Sequence, residues 1–308
     1  ILNPESWWMI VFTLILCAVF SGVGIVRGLT DSAPDINEEN IMPDGYPSII
    51  YDANGKKVQK LMGINANREY KKITDIPECV QNAFVAIEDA RFYKHSGVDL
   101  QGILRAVFSA LSDEKVTQGA STITQQLLKN QVFGGGNEKS FFGKVSRKIQ
   151  EQSLAIKLES TIDKKKILEY YLNTINLGQN TMGVETASKR YFGKSVSKLT
   201  VSEAAVLAGI TQNPTEYNPI TEQQNNEAKR KIILKNMLDQ KYITEDEYEE
   251  ALGDDVYSRI QDINKEKRTS SYGDINSYYV DAVIENVVSD LKQKLGYTET
   301  QAYNAIYR

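Results

Sequence analysis

Glu88 to Gly97 reads Glu-Asp-Ala-Arg-Phe-Tyr-Lys-His-Ser-Gly, and it holds two adjacent acids, two bases and the only histidine among 308 residues. An apolar helical run, Val80, Ala83, Phe84 and Ile87, leads into it. A dense polar cluster at the end of a buried helix reads as a reactive site rather than a surface loop. His95 can be a general base, but beside Phe92 and Tyr93 it is more simply a structural hydrogen-bonder.

Two further clusters could do chemistry. Arg147-Lys-x-x-Glu151 lies in a helical pattern over 140–160. One stripe is Phe142, Val145, Ile149 and Ile156; Arg147, Glu151, Leu154 and Leu158 form a second on the opposite side. Two apolar faces predict a helix central in its domain. Glu151 then lies on a largely apolar face, and burying a carboxylate is costly unless it is paired or functional. An i, i+4 pair with Arg147 explains it equally well. The other cluster is Gly119-Ala-Ser-Thr-Ile-Thr-Gln-Gln-Leu-Leu-Lys-Asn130. Ser121, Thr122, Gln125, Lys129 and Asn130 stand at a helix start, where free N–H groups and the helix dipole favour an anion. Plain capping by Ser121 or Thr122 is the simpler reading of that stretch alone. Lys129, Arg147 and Lys148 add local positive charge suited to phosphate or pyrophosphate.

The composition narrows the class. With 41% hydrophobic and 25% charged residues the chain is ordinary globular material, and a net charge of -4 argues against a nucleic-acid partner. Cys17 and Cys79 give no disulfide framework, and the lone histidine gives no zinc spacing. Ser-x-x-Lys occurs at Ser112–Lys115 and Ser195–Lys198, but no Lys-Thr-Gly follows, so neither reads as a penicilloyl-type serine site.

The elements that must position these residues are mostly helical. Trp7 to Val26 is twenty residues without a charge, long enough to cross a bilayer, with Trp7-Trp8 as an interfacial pair. That length favours an anchor over a signal peptide or a core helix. The segment after it carries acids at 31, 35, 38 and 39 and only Arg27 as a base, and since basic residues prefer the cytoplasmic side the rest is expected outside the cytoplasm. Residues 31–75 read as a linker and a hairpin, with Asn54-Gly55 as its turn. Helices are expected near 77–90, 100–112, 121–131, 140–160, 163–175, 182–191 and 200–210, with Asp99, Thr161 or Asp163, and Thr200 as caps. After Pro214 and Pro219, further helices are expected near 222–241, 244–252, 275–294 and 298–307, with a domain boundary within Gly253–Gly273. The chain opens on Ile1 and closes on an unfinished helical pattern, so both ends are expected to be cut.

Together the clusters resemble the family-51 peptidoglycan glycosyltransferases. Glu88-Asp-x-x-Phe92-x-x-His95-x-Gly97 is similar to that family's first motif, Gly119 to Asn130 to its second, and Arg147-Lys-x-x-Glu151 to its third. Ile167-Leu-Glu-x-Tyr-Leu-Asn173, Gly178, Gly183-Val-Glu-x-Ala187 and Tyr191-Phe-Gly-Lys194 resemble the fourth. Ser202-Glu-Ala-Ala-x-Leu-Ala-Gly209 with Gln212-Asn-Pro and Tyr217-Asn-Pro219 resembles the fifth. Five ordered motifs over 76–220 are far more specific than any one.

The resemblance implies a mainly α, lysozyme-like glycosyltransferase domain over 76–220 with a membrane-embedded lower lobe. It implies a single-pass anchor over 1–30 in the cytoplasmic membrane, and a helical linker plus the start of a truncated transpeptidase domain over 221–308, as in the class A penicillin-binding proteins. The implied partners are lipid II, the growing glycan strand, membrane lipid and other cell-wall synthesis proteins. By match, Glu88 takes the proton of an acceptor hydroxyl, and Glu151 is the second acid. Ser121, Thr122, Gln125, Lys129, Asn130, Arg147 and Lys148 bind substrate, while Asp89, Phe92, His95 and Gly97 frame the Glu88 loop. A divalent cation, Mg or Mn, at the pyrophosphate is the one cofactor implied. Two other classes remain: a glycan hydrolase using the same acids, which needs no basic cluster, and a non-catalytic scaffold, which has no reason to keep both acids on apolar faces.

Overall fold

A computed structural model describes residues 4–43, 48–61, 67–111, 119–260 and 278–306. The fold is mainly helical. Helix α1 (Pro4–Asp31) comes first, followed by the short α2 (Glu38–Ile41) and an antiparallel hairpin, β1 (Ser48–Tyr51) and β2 (Lys57–Leu61). The Asn54-Gly55 turn joins the strands, with Gly55 N–H bonded to Asp52 O at 3.0 Å. The expected hairpin residues Tyr46, Pro47 and Met62 lie outside the described residues, as do Ser112–Lys115 and most of the expected 253–273 boundary.

The main core is built by α3 (Glu78–Glu88), α5 (Ile123–Gln131), α6 (Phe141–Glu159), α7 (Lys164–Thr174), α8 (Val184–Phe192) and α9 (Val201–Ile210). Helix α4 (Leu100–Leu111) stands beside them. Val80, Ala83, Phe84 and Ile87 of α3 are all buried against this core. At about 1.5–3 kcal/mol for each large apolar side chain, that packing fixes where α3 ends, and Glu88 is its last residue. Local signals start and stop the helices as expected. Asp99 caps α4 by accepting from Gly102 N–H at 3.0 Å. Thr200 and Glu203 form a reciprocal capping box on α9. Thr161 and Asp163 give α7 no side-chain cap.

Two expectations change. The core does not stop at residue 220. Helix α10 (Gln223–Asp239) folds back on α9 and α3, and α11 (Glu245–Gly253) and α12 (256–260) follow it into the same core through Ile233, Met237, Val256 and Ile260. Pro214 and Pro219 turn the chain without ending the domain. The hairpin is also more than a linker. Ile50 and Leu61 share a second, separate core with Val280, Ile284 and Val288 of α13 (Tyr278–Leu295) and with Ala302 and Ile306 of α14 (Glu299–Ile306).

Helix α6 has one buried face, not two. Glu151, Leu154, Ala155 and Leu158 are buried, whereas Phe142 is 83% exposed and Ile156 53% exposed. The outer stripe has no helix of the main core over it; instead α6 meets the end of α1, where Gln150 Nε2 donates to Leu29 O at 3.1 Å.

Candidate active site

Glu88 and Glu151 open into one cavity of about 550 Å³. Ser121, Gln125, Lys129, Asn130, Arg147 and Lys148 line the same cavity, so three stretches of sequence converge there. Gln126, Tyr171, Ile175, Asn176, Thr211, Gln212 and Pro214 complete its wall.

The two acids sit in opposite surroundings. Glu88 is held by neutral donors: Gln126 Nε2 donates to Oε2 at 2.8 Å, and the Thr211 hydroxyl donates to Oε1. Tyr171 fixes the Gln126 amide by donating to its Oε1 at 3.3 Å. Burial pushes the Tyr171 phenol well above its ordinary value, and the charges of Glu88 and Asp89 add to this, so it stays a donor. Glu151 is held by cations. Arg147 Nη1 bonds its Oε1, and Lys148 Nζ lies 3.1 Å from its Oε2. The i, i+4 pair is therefore present, and it is part of the cavity wall.

Lys148 also donates to Ser121 Oγ at 2.7 Å and to Gln125 Oε1 at 2.8 Å, which uses all three of its protons. Burial lowers its affinity for a proton, and Glu151 only partly offsets that. Burial also works against the Arg147 charge, but Glu138 and Glu151 outweigh it and hold the guanidinium above its ordinary value. Arg147 Nε donates to Glu138 Oε2 at 2.7 Å. The Lys129 ammonium makes no hydrogen bond or ion pair to a described residue, while its carbonyl accepts from Gly135 N–H at 2.9 Å. Gly136 brings it close to Arg147. A Cβ on Gly136 would lie 2.9 Å from both Arg147 Cζ and Lys129 Cε, and its φ of +76° suits glycine.

The frame lies behind the cavity. Asp89 accepts from Ile123 N–H at 3.0 Å and from His95 Nε2 at 2.9 Å, tying the end of α3 to the start of α5. The His95 ring, 7% exposed, packs edge-on against Phe92, with Lys164 Nζ 3.4 Å from its Nδ1, and it does not line the cavity. Gly97, at φ +88°, packs directly on α6: a Cβ there would lie 2.5 Å from Ala155 C and O. Its carbonyl accepts from Thr122 Oγ1 at 2.8 Å and Gln125 Nε2 at 3.3 Å. Thr122 is 1% exposed and caps α5 by accepting from Gln125 N–H, so its hydroxyl does not reach the cavity. Thr122 instead lines a smaller pocket that Glu88 and Ser121 share with the cavity. Ser195 of the second Ser-x-x-Lys donates to Glu185 at 3.0 Å.

Sequence reasoning missed Gln126, Tyr171 and Thr211. Gln126 stood inside a singled-out motif, next to Gln125. Tyr171 stood inside the fourth motif, with nothing to tie it to Glu88, and Thr211 carries no local signal; only the return of α7 and α9 brings them there.

The model of the transglycosylase family matches residues 54–238, which include the cavity residues named above. The chain belongs to the transglycosylase family. Its domain is thus a glycosyltransferase. The chain is 38% identical to penicillin-binding protein 1A of Haemophilus influenzae over 262 residues, 85% of this chain and 28% of that protein. It is 38% identical to penicillin-binding protein 1A of Clostridium botulinum over 292 residues, 92% of this chain and 34% of that one. The namesake from Neisseria lactamica is 43% identical over 213 residues, 68% of this chain and 25% of that one. This transglycosylase chain therefore spans about a quarter to a third of the length of the relatives it matches. A crystal structure of the Haemophilus influenzae protein is 23% identical, covers 83% of this chain and 26% of its own, and has a TM-score of 0.39.

Proposed function

We propose that the domain polymerises lipid II into peptidoglycan, with Glu88 as the base that takes the proton of the acceptor 4-hydroxyl. The observation that carries this is the division of the cavity: one acid among neutral donors, the other among cations. A sugar hydroxyl is a weak nucleophile, so a carboxylate must accept its proton during attack. The leaving pyrophosphate needs fixed positive charge. Lys129 is available for it without giving up a described partner, and Arg147 stands beside it. Lys148 must exchange one of its three bonds to join them. Glu151 then positions the cations.

Displacement at the α-linked donor C1 in a single step gives the β-linked strand with inversion, and polyprenyl pyrophosphate leaves. A divalent cation at the pyrophosphate finds few protein donors. Glu151 already has both oxygens on cations, and no cluster of three metal-ligating side chains occurs among the described residues. In this reading Lys129, Arg147 and Lys148 supply positive charge to the leaving group from the protein, and a divalent cation would be held mainly by the pyrophosphate itself.

The substrate's lipid tail implies a membrane. Val11–Asp31 is long and apolar enough to cross one, and it is unburied. We place the domain on the extracytoplasmic face of the cytoplasmic membrane. Phe141 and Phe142, 74% and 83% exposed, begin α6, about nine residues or 13 Å from where Gln150 touches the end of α1. Replacing both with serine should weaken vesicle binding of a chain lacking residues 1–27 severalfold; unchanged co-sedimentation would refute that contact.

The decisive experiment uses labelled lipid II. Wild type should form polymer, and Glu88→Gln should lose at least about a thousandfold in rate while keeping its fold. Shortening of preformed glycan instead would mark a hydrolase, and no activity from folded wild type would mark a scaffold.

A further inference from the structure

Helix α10 reaches the active cavity through one side chain. Lys229 Nζ donates to Gln212 Oε1 at 2.7 Å, and Gln212 lines the cavity beside Thr211. Thr211 in turn donates its hydroxyl to Glu88 Oε1. Lys229, Gln212, Thr211 and Glu88 therefore stand in series, and Lys229 itself does not line the cavity.

The lysine is half-buried and makes no ion pair with a described residue. Besides Gln212 it meets the Tyr217 ring, whose centroid lies 5.6 Å from Nζ. Burial works against its charge, and the charges of Glu88 and Glu216 offset this. Glu216 already accepts from Asn213 Nδ2 at 3.1 Å. Partly desolvating an ammonium is costly, and one neutral amide with a ring at that distance returns little of the cost. Methionine would cover the same surface without it. The ammonium is therefore placed for what it holds.

The helix that carries Lys229 is locked. Asn226, one turn earlier, is fully buried; its Nδ2 donates to Val206 O at 3.2 Å and to Tyr217 O at 2.8 Å, and its Oδ1 accepts from Tyr257 Oη at 2.6 Å. Gly209 lets α10 lie close to α9, since a Cβ there would stand 3.3 Å from Asn226 Nδ2 and 3.6 Å from Lys229 Cγ. Thr211, by contrast, ends α9, and Gln212 begins the turn after it. Turns are the more mobile part of such a series, and Lys229 ties this one to a fixed helix.

We propose that Lys229 is a positioning residue for glycosyl transfer, holding the Thr211-Gln212 turn so that the Thr211 hydroxyl keeps Glu88 aimed at the acceptor. The inference rests on the reading of Glu88 as the base. Gln126 fixes one Glu88 oxygen and Thr211 the other. Release of Thr211 frees the carboxylate to rotate. A misaimed base slows the chemical step. Substrate binding is spared, because the cations assigned to the pyrophosphate are Lys129, Arg147 and Lys148.

The test is steady-state polymerisation of lipid II by the full chain in detergent, with folding followed by thermal melting. Lys229→Met keeps the stem beside Gly209 and removes the ammonium. It should lower kcat about tenfold and leave KM within about twofold. Lys229→Arg still donates to Gln212 and should recover kcat to within about threefold of wild type. Thr211→Val should be at least as slow as Lys229→Met, and combining the two should cost no more than about twofold beyond Thr211→Val alone, because they act in series. Wild-type kcat in Lys229→Met, a loss confined to KM, or full multiplication of the two losses overturns the proposal. Lys229→Gln, whose shorter stem cannot reach as far, carries the same prediction if Lys229→Met melts early. Amide exchange over 211–213 should quicken about tenfold in Lys229→Met, and unchanged exchange overturns the proposal by itself. Quickened exchange beside a wild type that makes no polymer would sink the polymerase reading and leave the hold of Lys229 on the turn standing.

Discussion

Lys148 is the residue whose chemistry is most exposed to its surroundings. Three acceptors hold it, yet burial still depresses its proton affinity below the ordinary lysine value of 10.5. The sign follows directly: its charge is complete below the lowered value and is lost as pH rises through it. The pyrophosphate then loses one of its cations at a pH where an ordinary lysine would still be charged. KM for lipid II should therefore rise with pH in a window that opens below 10.5, at most about tenfold per unit for one proton. Lys148→Arg stays charged throughout and should flatten that rise. Initial rates against pH for the two proteins decide it. A wild-type KM that is flat up to 10.5 would show that Lys148 does not face the leaving group.

At the scale of elements, the site depends on how closely α3, α5 and α6 approach. Gly97 sets that distance, because its Cα stands where a Cβ would meet the Ala155 backbone at 2.5 Å, and its carbonyl collects Thr122 and Gln125 from α5. Gly97→Ala combines the cost of positive φ with overpacking against main chain that cannot rotate away. Together these should cost about 2–5 kcal/mol in urea unfolding, and the polymerisation rate should fall more than stability alone explains. A change under about 1 kcal/mol would mean that α6 moves aside without penalty. Much of this was legible in the chain. The clusters at 88–97, 119–130 and 147–151 already named both acids and the three cations, because each cluster is local. The bounds of α3, α5 and α6 followed from apolar spacing and from caps such as Thr122. What local sequence could not give was the partner across the cavity. Thr211 reaches Glu88 from 123 positions away, and the outer stripe of α6 looked like core because periodicity cannot tell a covered face from an open one.

For the molecule as a whole, the question is which parts share their stability. The main core runs from Ile41 to Ile260, while Ile50 and Leu61 pack with α13 and α14 in a core of their own. Tyr279 Oη donates to Tyr51 O at 3.2 Å across that second unit. The hairpin precedes the catalytic helices and its packing partners follow them, so the second unit closes a loop around the first. Ile50 is 7% exposed, and Ile50→Asp would bury a carboxylate with no counter-charge in that small core. The cost, about 3 kcal/mol or more, should be felt where the packing is shared. Amide exchange in 278–306 should quicken up to about a hundredfold, while exchange in α3, α5 and α9 and the polymerisation rate stay within about twofold. Faster exchange spreading into α3 and α9 would mean that the two cores unfold as one and that the hairpin supports the active site directly. Local exchange with unchanged turnover would mean that the second unit holds the chain beside the transferase domain without tuning it.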